Sequence, residues 1–503
     1  MRTSGILLHI SSLSSPYGIG TFGKEAFDLI DFLKLGGQTY WQILPIGPTS
    51  YGDSPYQSFS AYALNPYFID LRLLTEAGLL KKEEYATLDF GKDETTVDYA
   101  AVYRNRFPVL RRAAARFFAA PPADYAVFCK AQTDWLPDYA LFMALKDAHD
   151  GAAFTTWEAS LRRREPAALE AARAQYAADV DFYTMLQYLA YRQWERVKAY
   201  AGQNGVKIIG DMPIYVAADS ADVWACPHLF RLDADGAPVE VAGCPPDAFS
   251  KDGQLWGNPL YDWKAMEKDG YDWWCRRIQA ACTLFDVVRI DHFRGFEAYY
   301  AIPGGATTAQ KGRWRKGPGM KLFRRVRERL GDLPIIAEDL GFLTPAVHKL
   351  LKATGFPGMK VLQFGFDPEE ESAYLPHNYP SNCVVYTGTH DNDTINGWAE
   401  STEEDVVQYA RDYLRLGTDE SLNWCMMKAA LASPADTAIL TMQDLLGLGS
   451  EGRMNTPSTV GGNWQWRVTG DCLNSWLAGL LYENNRIYRR LPPGETAKKA
   501  TEK

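Results

Sequence analysis

The sequence predicts an α/β fold, a (β/α)8 barrel with large insertions at the carboxyl ends of its strands. Eight short runs are almost continuously apolar, as expected of parallel strands that are buried on both faces. Helical patterns lie between most of these runs, which is the alternation typical of parallel sheets. A doubly wound open sheet is the alternative architecture, and the count of eight favours the barrel.

The predicted strands, in chain order, are 5–10 (GILLHI), 39–46 (TYWQILPI), 207–216 (KIIGDMPIYV), 286–292 (DVVRIDH), 334–341 (PIIAEDLG), 358–366 (GMKVLQFGF), 383–391 (CVVYTGTHD) and 437–443 (TAILTMQ). The predicted helices that separate or follow them cover 24–35, 182–204, 271–284, 319–331, 344–353, 403–414 and 473–490.

Two gaps between strands are too long for simple crossovers and predict insertions within a single catalytic domain, 1–503. Residues 47–206 begin in a Pro/Gly/Ser/Tyr-rich loop and continue as helices near 108–119 and 166–179, so this insertion after strand 2 is expected to be largely helical. An irregular insertion, 217–285, follows strand 3, and a loop, 449–467, follows strand 8. All three leave from the barrel face that carries active sites. The tail 492–503 is expected to be disordered.

Composition and charge exclude several kinds of partner. The net charge of −9 disfavours nucleic acid. No run approaches 18 apolar residues, and the first residues do not form a signal peptide, so no membrane association is expected. The cysteines lack CxxC pairs and the histidines lack ligand spacing, which predicts a cytoplasmic chain with no bound metal.

The run GIGTFG, 18–23, satisfies the pattern GxGxxG of dinucleotide-binding turns. Such a turn follows its strand directly, whereas SSLSSPY stands between GILLHI and these glycines. We therefore expect a glycine-rich entry into a helix, and no cofactor.

Carboxylates stand at the ends of four predicted strands. Asp211 ends KIIGD, Asp291 ends VVRID, Glu338 and Asp339 end PIIAED, and Asp391 ends CVVYTGTHD. A single Asp in such a place is equally expected as a helix N-cap. Four strand ends with acids at one rim indicate an active site.

Two of these acids predict paired roles. Arg289 and Asp291 are two residues apart and share a strand face, so the guanidinium is expected to lower the pKa of Asp291 and keep it ionised. Glu338 ends an apolar run, where desolvation is expected to raise its pKa and keep a proton available. One ionised and one protonated carboxyl group is the arrangement used in glycoside chemistry, and a separation of about 5–5.5 Å between them would make it retaining.

Nine stretches, in the expected order up to about residue 467, resemble the amylomaltases, the 4-α-glucanotransferases of glycoside hydrolase family 77 in the α-amylase clan. They are LLHISSLSSPYGIG, SPYQSFSAYALNP, GDMPIYVAADSADVW, PPDAFSKDGQLWGNPLY, VVRIDHFRGFEAYYAIP, IIAEDLG, GMKVLQFGF, YTGTHDNDT and GGNWQWR.

The resemblance implies a role for each matching residue. Asp291 is the expected nucleophile, Glu338 the general acid/base, and Asp391 the third acid, which stabilises the distorted sugar and its oxocarbenium-like transition state. Asp393 is the alternative third acid, and Asp391 is preferred because the family places this acid directly after a histidine. The expected substrate-binding residues are Tyr56, Asp211, Asp247, Phe249, Gln254, Trp256, Asn258, Arg289, His390, Asn463 and Trp464.

Four of these residues, Trp256, Asn258, Asn463 and Trp464, are expected on exposed loops that arch over the cleft, because Gly and Asn flank the rings. One position departs from the family pattern. PPDAFS has Ala248 where the family usually carries an aromatic residue, which bears on the size of the products and leaves the bond chemistry unaffected.

The implied activity is transfer of α-1,4-glucan segments between maltooligosaccharide or glucan chains by a retaining double displacement, with cyclisation as a further outcome. Glucans serve as donor and acceptor, and glucose is a small product or acceptor. The alternative is an α-amylase-like retaining hydrolase that uses the same acids.

Overall fold

The computed structural model describes residues 2–50, 52–246 and 251–492 of the chain. Its strands are β1 (Thr3–Leu7), β2 (Tyr40–Gln42), β3 (Lys207–Met212), β4 (Glu240–Cys244), β5 (Gln254–Pro259), β6 (Val287–Ile290), β7 (Ala298–Pro303), β8 (Arg313–Lys316), β9 (Ile335–Ala337), β10 (Gly358–Val361), β11 (Cys383–Tyr386) and β12 (Thr437–Thr441).

Eight of these strands form the predicted barrel. They are all parallel and follow the order β10-β11-β12-β1-β2-β3-β6-β9. The amide of Ala337 on β9 donates to the carbonyl of Pro357, directly before β10, at 2.9 Å and so joins the two ends of the sheet. Each predicted apolar run overlaps one barrel strand, and the prediction of a (β/α)8 barrel is confirmed.

The helices are α1 (Lys24–Leu35), α2 (Leu71–Glu76), α3 (Tyr99–Ala119), α4 (Tyr125–Ala131), α5 (Leu136–Ala148), α6 (Ala159–Arg162), α7 (Pro166–Gln175), α8 (Ala177–Gln203), α9 (Ala221–Ala225), α10 (Trp263–Lys268), α11 (Asp272–Leu284), α12 (Met320–Leu330), α13 (Pro345–Thr354), α14 (Ile395–Ser401), α15 (Glu404–Leu414), α16 (Leu422–Ala432), α17 (Met442–Leu446) and α18 (Ser475–Ile487). Within the described ranges, none combines the length and apolar character that crossing a bilayer requires.

Side-chain caps explain several helix starts. Asn474 accepts from the amide of Leu477 at the start of α18. Asp98 accepts from the amide of Ala101 at the start of α3, which therefore begins nine residues before the predicted 108–119. Pro108 lies inside this helix.

A second sheet lies beside the barrel and was not predicted. It is antiparallel, with strand order β5-β4-β7-β8. Its strands come from two separate segments, one between β3 and β6 and one between β6 and β9. Such strands are stabilised by each other, so short segments of mixed polarity gave no local signal.

The glycines of GIGTFG are required by close packing of the chain on itself. A Cβ at Gly20 would lie 1.7 Å from the carbonyl oxygen of Ile10 and 2.8 Å from Cβ of Leu13. The run leads into α1 at Lys24, as expected of a glycine-rich helix entry. Gly20 thus allows the loop after β1 to fold against its own backbone.

We predict that Gly20→Ala lowers the free energy of unfolding by about 1–3 kcal/mol or more, because the methyl group meets backbone that cannot rotate away. Gly479→Ala is the matched control, since Gly479 lies inside α18 with nothing within 4 Å of the added Cβ. It should raise the free energy of unfolding by about 0.5–1 kcal/mol. Urea unfolding measures both, and equal effects would contradict the packing argument.

Candidate active site

Strand register places the acids at one rim of the barrel. Asp211 on β3 is the direct partner of Arg289 on β6, and Arg289 is in turn the partner of Ile336 on β9. Asp291 and Glu338 each follow their strand within one residue. Because parallel strands end at the same face, three carboxylates from three neighbouring strands surround one opening.

Arg289 connects two of these carboxylates. Its Nη1 donates to both oxygens of Asp211, at 2.6 and 2.7 Å, and to Oδ1 of Asp291 at 3.1 Å. The side chains of Arg289 and Asp211 are 5% and 1% exposed. Neither charge could remain buried without the other, because an unpaired ion in this place would be strongly destabilising.

Main-chain amides hold Glu338. Its Oε2 accepts from the amide of His292 at 2.6 Å, and its Oε1 accepts from the amide of Leu340 at 2.7 Å. His292 has a φ of 50°, an uncommon conformation for a residue with a side chain, and directly follows Asp291. Burial raises the pKa of Glu338, as expected, although Arg289 and the two amides act in the opposite direction.

The pKa of Asp291 contradicts the expectation. Burial raises this pKa well above its usual value, and the guanidinium of Arg289 lowers it by less. Arg289 gives two of its hydrogen bonds to Asp211, while the charges of Asp211, Glu338 and Asp391 repel a further negative charge on Asp291. The expected lowering of this pKa was therefore wrong.

Three aromatic side chains form a wall beside the carboxylates. Tyr56 donates from Oη to Oδ2 of Asp211 at 2.7 Å, and its ring stacks on His390 with centroids 5.0 Å apart. The ring of Trp464 lies 5.7 Å from Tyr56 and 5.8 Å from His390. Burial lowers the pKa of His390, which favours a neutral imidazole in this wall.

Asp391 stands at the open side of the site, with its side chain 49% exposed. Its Oδ2 is 3.4 Å from Nε2 of His390, and its Oδ1 accepts from Nδ2 of Asn455 at 2.6 Å. Asp393 instead accepts from the hydroxyl of Ser450 at 2.8 Å. Asp391 therefore contacts both the aromatic wall and the loop after β12, whereas Asp393 contacts that loop through Ser450.

Trp256 and Asn258 lie on strand β5, so the expectation of an arching loop was wrong for them. Pairing with β4, which the local sequence does not reveal, makes this segment a strand. The ring of Trp256 meets His292 edge-on at 4.8 Å, and its Nε1 donates to Gln254 at 2.9 Å. Asn258 is buried and donates to the carbonyl of Val216 at 2.9 Å.

Asn463 does not join the cluster. Its amide group bonds within its own loop, to the amide of Thr456 at 2.9 Å and the hydroxyl of Thr459 at 3.0 Å. Trp464 is only 6% exposed, so the expectation of an exposed ring was wrong. Its φ of 65° and the bond from Tyr99 Oη to its carbonyl at 2.8 Å hold it inward.

Asp247, Ala248 and Phe249 lie outside the described residues. Within residues 2–50, 52–246 and 251–492, no group of three or more His, Cys, Asp or Glu is arranged to hold a metal ion.

Three residues at the site were missed. His292 and Asn455 contact catalytic candidates through hydrogen bonds that only the fold creates. Gln57 donates to the carbonyl of Trp256 at 3.2 Å and to Oδ1 of Asn258 at 3.3 Å, and so links the loop of Tyr56 to β5. The only available signal was adjacency, since His292 follows Asp291 and Gln57 follows Tyr56.

Comparison with known proteins identifies the family. Residues 8–473 match the model of glycoside hydrolase family 77, described as 4-alpha-glucanotransferase. The chain belongs to glycoside hydrolase family 77.

Members of family 77 match along almost the whole chain. The 4-alpha-glucanotransferase of Streptococcus pneumoniae is 51% identical over 493 residues, which cover 97% of this chain and 98% of that protein. The 4-alpha-glucanotransferase of Thermus thermophilus is 49% identical over 478 residues, covering 93% and 95%. The solved amylomaltase from Streptococcus agalactiae in complex with acarbose has a TM-score of 0.96 at 44% identity, covering 98% of this chain and 100% of that one.

A buried histidine lies near the aromatic wall of this family 77 chain. His9, two residues after β1, accepts at Nδ1 from the amide of Leu44 at 3.2 Å. Burial, and secondarily the charge of His390, lowers the pKa of His9 to about 3. The unfolded chain therefore binds a proton at His9 at a higher pH than the folded chain does.

We predict that the contribution of neutral His9 to the free energy of unfolding is fully present above pH ~6.5. It is lost as the pH falls toward 3, because the unfolded chain then takes up a proton that the folded chain does not. His9→Asn retains an acceptor for the Leu44 amide and cannot titrate in this range. The free energy of unfolding of the native chain, relative to that of His9→Asn, should fall by about 2 kcal/mol between pH 6.5 and 5. Urea unfolding across this range measures it, and a pH-independent difference would show that folding does not lower the pKa of His9.

Proposed function

We propose that this chain is a 4-α-glucanotransferase that transfers segments of α-1,4-glucans by a retaining double displacement. The observation that carries the proposal is the pairing of Asp291, in contact with Arg289, and Glu338, held by the amide of His292, at one barrel mouth. The relatives named 4-alpha-glucanotransferase supply the substrate class.

In the first step, Asp291 attacks the anomeric carbon while Glu338 protonates the departing glycosidic oxygen. The bond from the anomeric carbon to the leaving oxygen breaks, and a covalent bond to Oδ of Asp291 forms. We assign the proton to Glu338 because Asp291 has the direct guanidinium contact, at 3.1 Å. Raised pKa values at both acids are consistent with a site that keeps one proton between them.

In the second step, Glu338 removes the proton of an acceptor hydroxyl, which attacks the anomeric carbon and releases Asp291. Two inversions restore the α configuration. A 4-hydroxyl of a second glucan gives transfer, the same chain gives a cyclic product, and glucose can serve as the small acceptor or product. A cytoplasmic location accompanies this proposal as a prediction from the sequence.

The remaining residues of the cluster bind the sugar next to the cleaved bond. Asp391 is exposed on the open side, where its charge stabilises the oxocarbenium-like transition state. Tyr56 and Trp464 offer ring surface to the apolar face of a pyranose. Asp211 aligns Arg289 and Tyr56 at distances of 2.6 and 2.7 Å.

Transfer must compete with hydrolysis by bulk water. A positioned acceptor hydroxyl can have an effective molarity of about 10⁵–10⁸ M, which is enough to exceed the concentration of water. Trp256 on β5 and Trp464 in the loop after β12 flank the site and are proposed to position the acceptor. Asn463, which bonds within the same loop as Trp464, is proposed to hold that loop in shape. Asp247 and Phe249 are proposed to contribute from the segment between β4 and β5.

We predict that maltotriose alone is converted into glucose and longer maltooligosaccharides, with no change in the total number of reducing ends. Each transfer breaks one glycosidic bond and forms another, so the count is conserved. Chromatography of the products and a reducing-end assay measure it. A steady rise in reducing ends would support the α-amylase-like hydrolase instead.

We predict that Asp291→Asn reduces turnover at least 10³-fold, because the neutral amide cannot form the glycosyl-enzyme. Glucan binding should persist, since the change keeps the size of the side chain. Asp339→Asn is the matched control: Asp339 lies two residues after β9 and accepts from the amide of Met359 on β10, at 2.6 Å, so this variant should keep most of the turnover. Equal losses in both variants would refute the assignment of the nucleophile.

A further inference from the structure

Arg294 is a buried cation three residues after Asp291 in the chain. It lies in the short helix Phe293–Phe296, which follows β6 and Asp291. Arg294 is 4% exposed, and its Nη1 donates to the carbonyl of Phe342 at 2.6 Å. Its guanidinium lies 3.8 Å from the centre of the Trp314 ring on β8. Its Nε has no hydrogen-bond partner among the described residues.

Another buried arginine shows how such a cation is usually satisfied. Arg490, at the opposite end of the barrel strands, donates to the carbonyls of Leu431, Thr3 and Ala435 at 2.7, 2.7 and 3.0 Å. Arg294 makes one strong hydrogen bond and one ring contact. Burial of a cation with so few partners is unfavourable, so its presence indicates a role beyond local stability.

Three hydrogen bonds join the segment of Arg294 to the segment of Glu338. The amide of His292 donates to Oε2 of Glu338 at 2.6 Å, and the amide of Phe293 donates to the Glu338 carbonyl at 2.9 Å. Arg294 supplies the third bond, to the carbonyl of Phe342, at the far end of the loop 338–342. Leu340, whose amide contacts Oε1 of Glu338, lies between the two anchored ends.

We propose that Arg294 is a positioning residue that fixes the loop 338–342 through the carbonyl of Phe342, while Trp314 holds its guanidinium in place. The proposal rests on the assignment of Glu338 as the acid/base. Without the anchor, the loop is free to move the Leu340 amide away from Oε1. Glu338 then loses a hydrogen bond that favours its ionised form.

Other charged and titratable groups face these two residues and remain unchanged in the test. Those around Glu338 are Asp291, Arg289, Asp339 and Tyr374, and those around Arg294 are His292, Glu297, Tyr215 and Cys244. Loss of the Leu340 amide raises the pKa of Glu338, because that hydrogen bond favours the ionised carboxylate. The basic limb of the profile of kcat/KM against pH reports this pKa, because the first step needs the protonated acid.

The test uses the full chain with Arg294→Met and Arg294→Lys, and Arg490→Lys as the matched control. For Arg294→Met we expect the basic limb of the kcat/KM profile for maltotriose to shift to higher pH by about one unit. We also expect kcat to fall at least tenfold with little change in KM. Arg294→Lys should recover part of the loss, because an ammonium can still donate to the Phe342 carbonyl. Arg490→Lys should leave the basic limb in place.

A second donor isolates the acid step. With α-maltosyl fluoride, attack by Asp291 breaks the C–F bond and releases fluoride, which needs little protonation. The first-turnover release of fluoride by Arg294→Met should therefore fall much less than its kcat on maltotriose. An unmoved basic limb in Arg294→Met, or equal losses on both donors, would overturn the proposal.

The same donors test the role of Glu338 separately. If Glu338 is the acid/base, Glu338→Gln should lose activity on maltotriose and still release fluoride in the first turnover. Failure of that result would refute the proposed function of Glu338 itself, whereas failure confined to the Arg294 variants would refute only the positioning role.

Discussion

The buried guanidinium of Arg289 is the interaction on which the rest of the site depends. It neutralises Asp211 on the adjacent strand and contacts Asp291 on its own strand. Asp211 in turn accepts from Tyr56, whose ring stacks on His390. A continuous set of contacts thus leads from one cation to the proposed nucleophile and to the aromatic wall, which explains why so many polar groups can lie at the end of a buried strand.

The site contains more carboxyl groups than cationic side chains, and this excess of negative charge favours the retention of a proton. The charges of Asp211, Glu338 and Asp391 act on Asp291, which Arg289 offsets only in part, and burial raises the pKa of both Asp291 and Glu338. A cluster of this charge retains a proton more readily than isolated carboxyls do. The general acid of a glycoside mechanism requires such a proton near neutral pH.

Parts of the chain outside the barrel strands complete the site. Tyr56 comes from the loop after β2, Trp256 from the second sheet, and Asn455 and Trp464 from the loop after β12. These segments contact each other as well as the barrel, for example where Gln57 bonds to Trp256 and Asn258. The barrel fixes the acids, and the inserted segments define the space available to a glucan.

The sequence by itself determined the barrel and the identities of its acids. Parallel strands need apolar residues on both faces, and polar residues at the ends of such runs must meet at one rim, so Asp211, Asp291 and Glu338 could be located from local pattern alone. Only the tertiary structure decided their environment. The raised pKa of Asp291, the strand conformation of Trp256, the inward ring of Trp464 and the anchor at Arg294 depend on groups distant in the chain. Burial and long-range pairing are properties of the assembled fold, and no local run of residues specifies them.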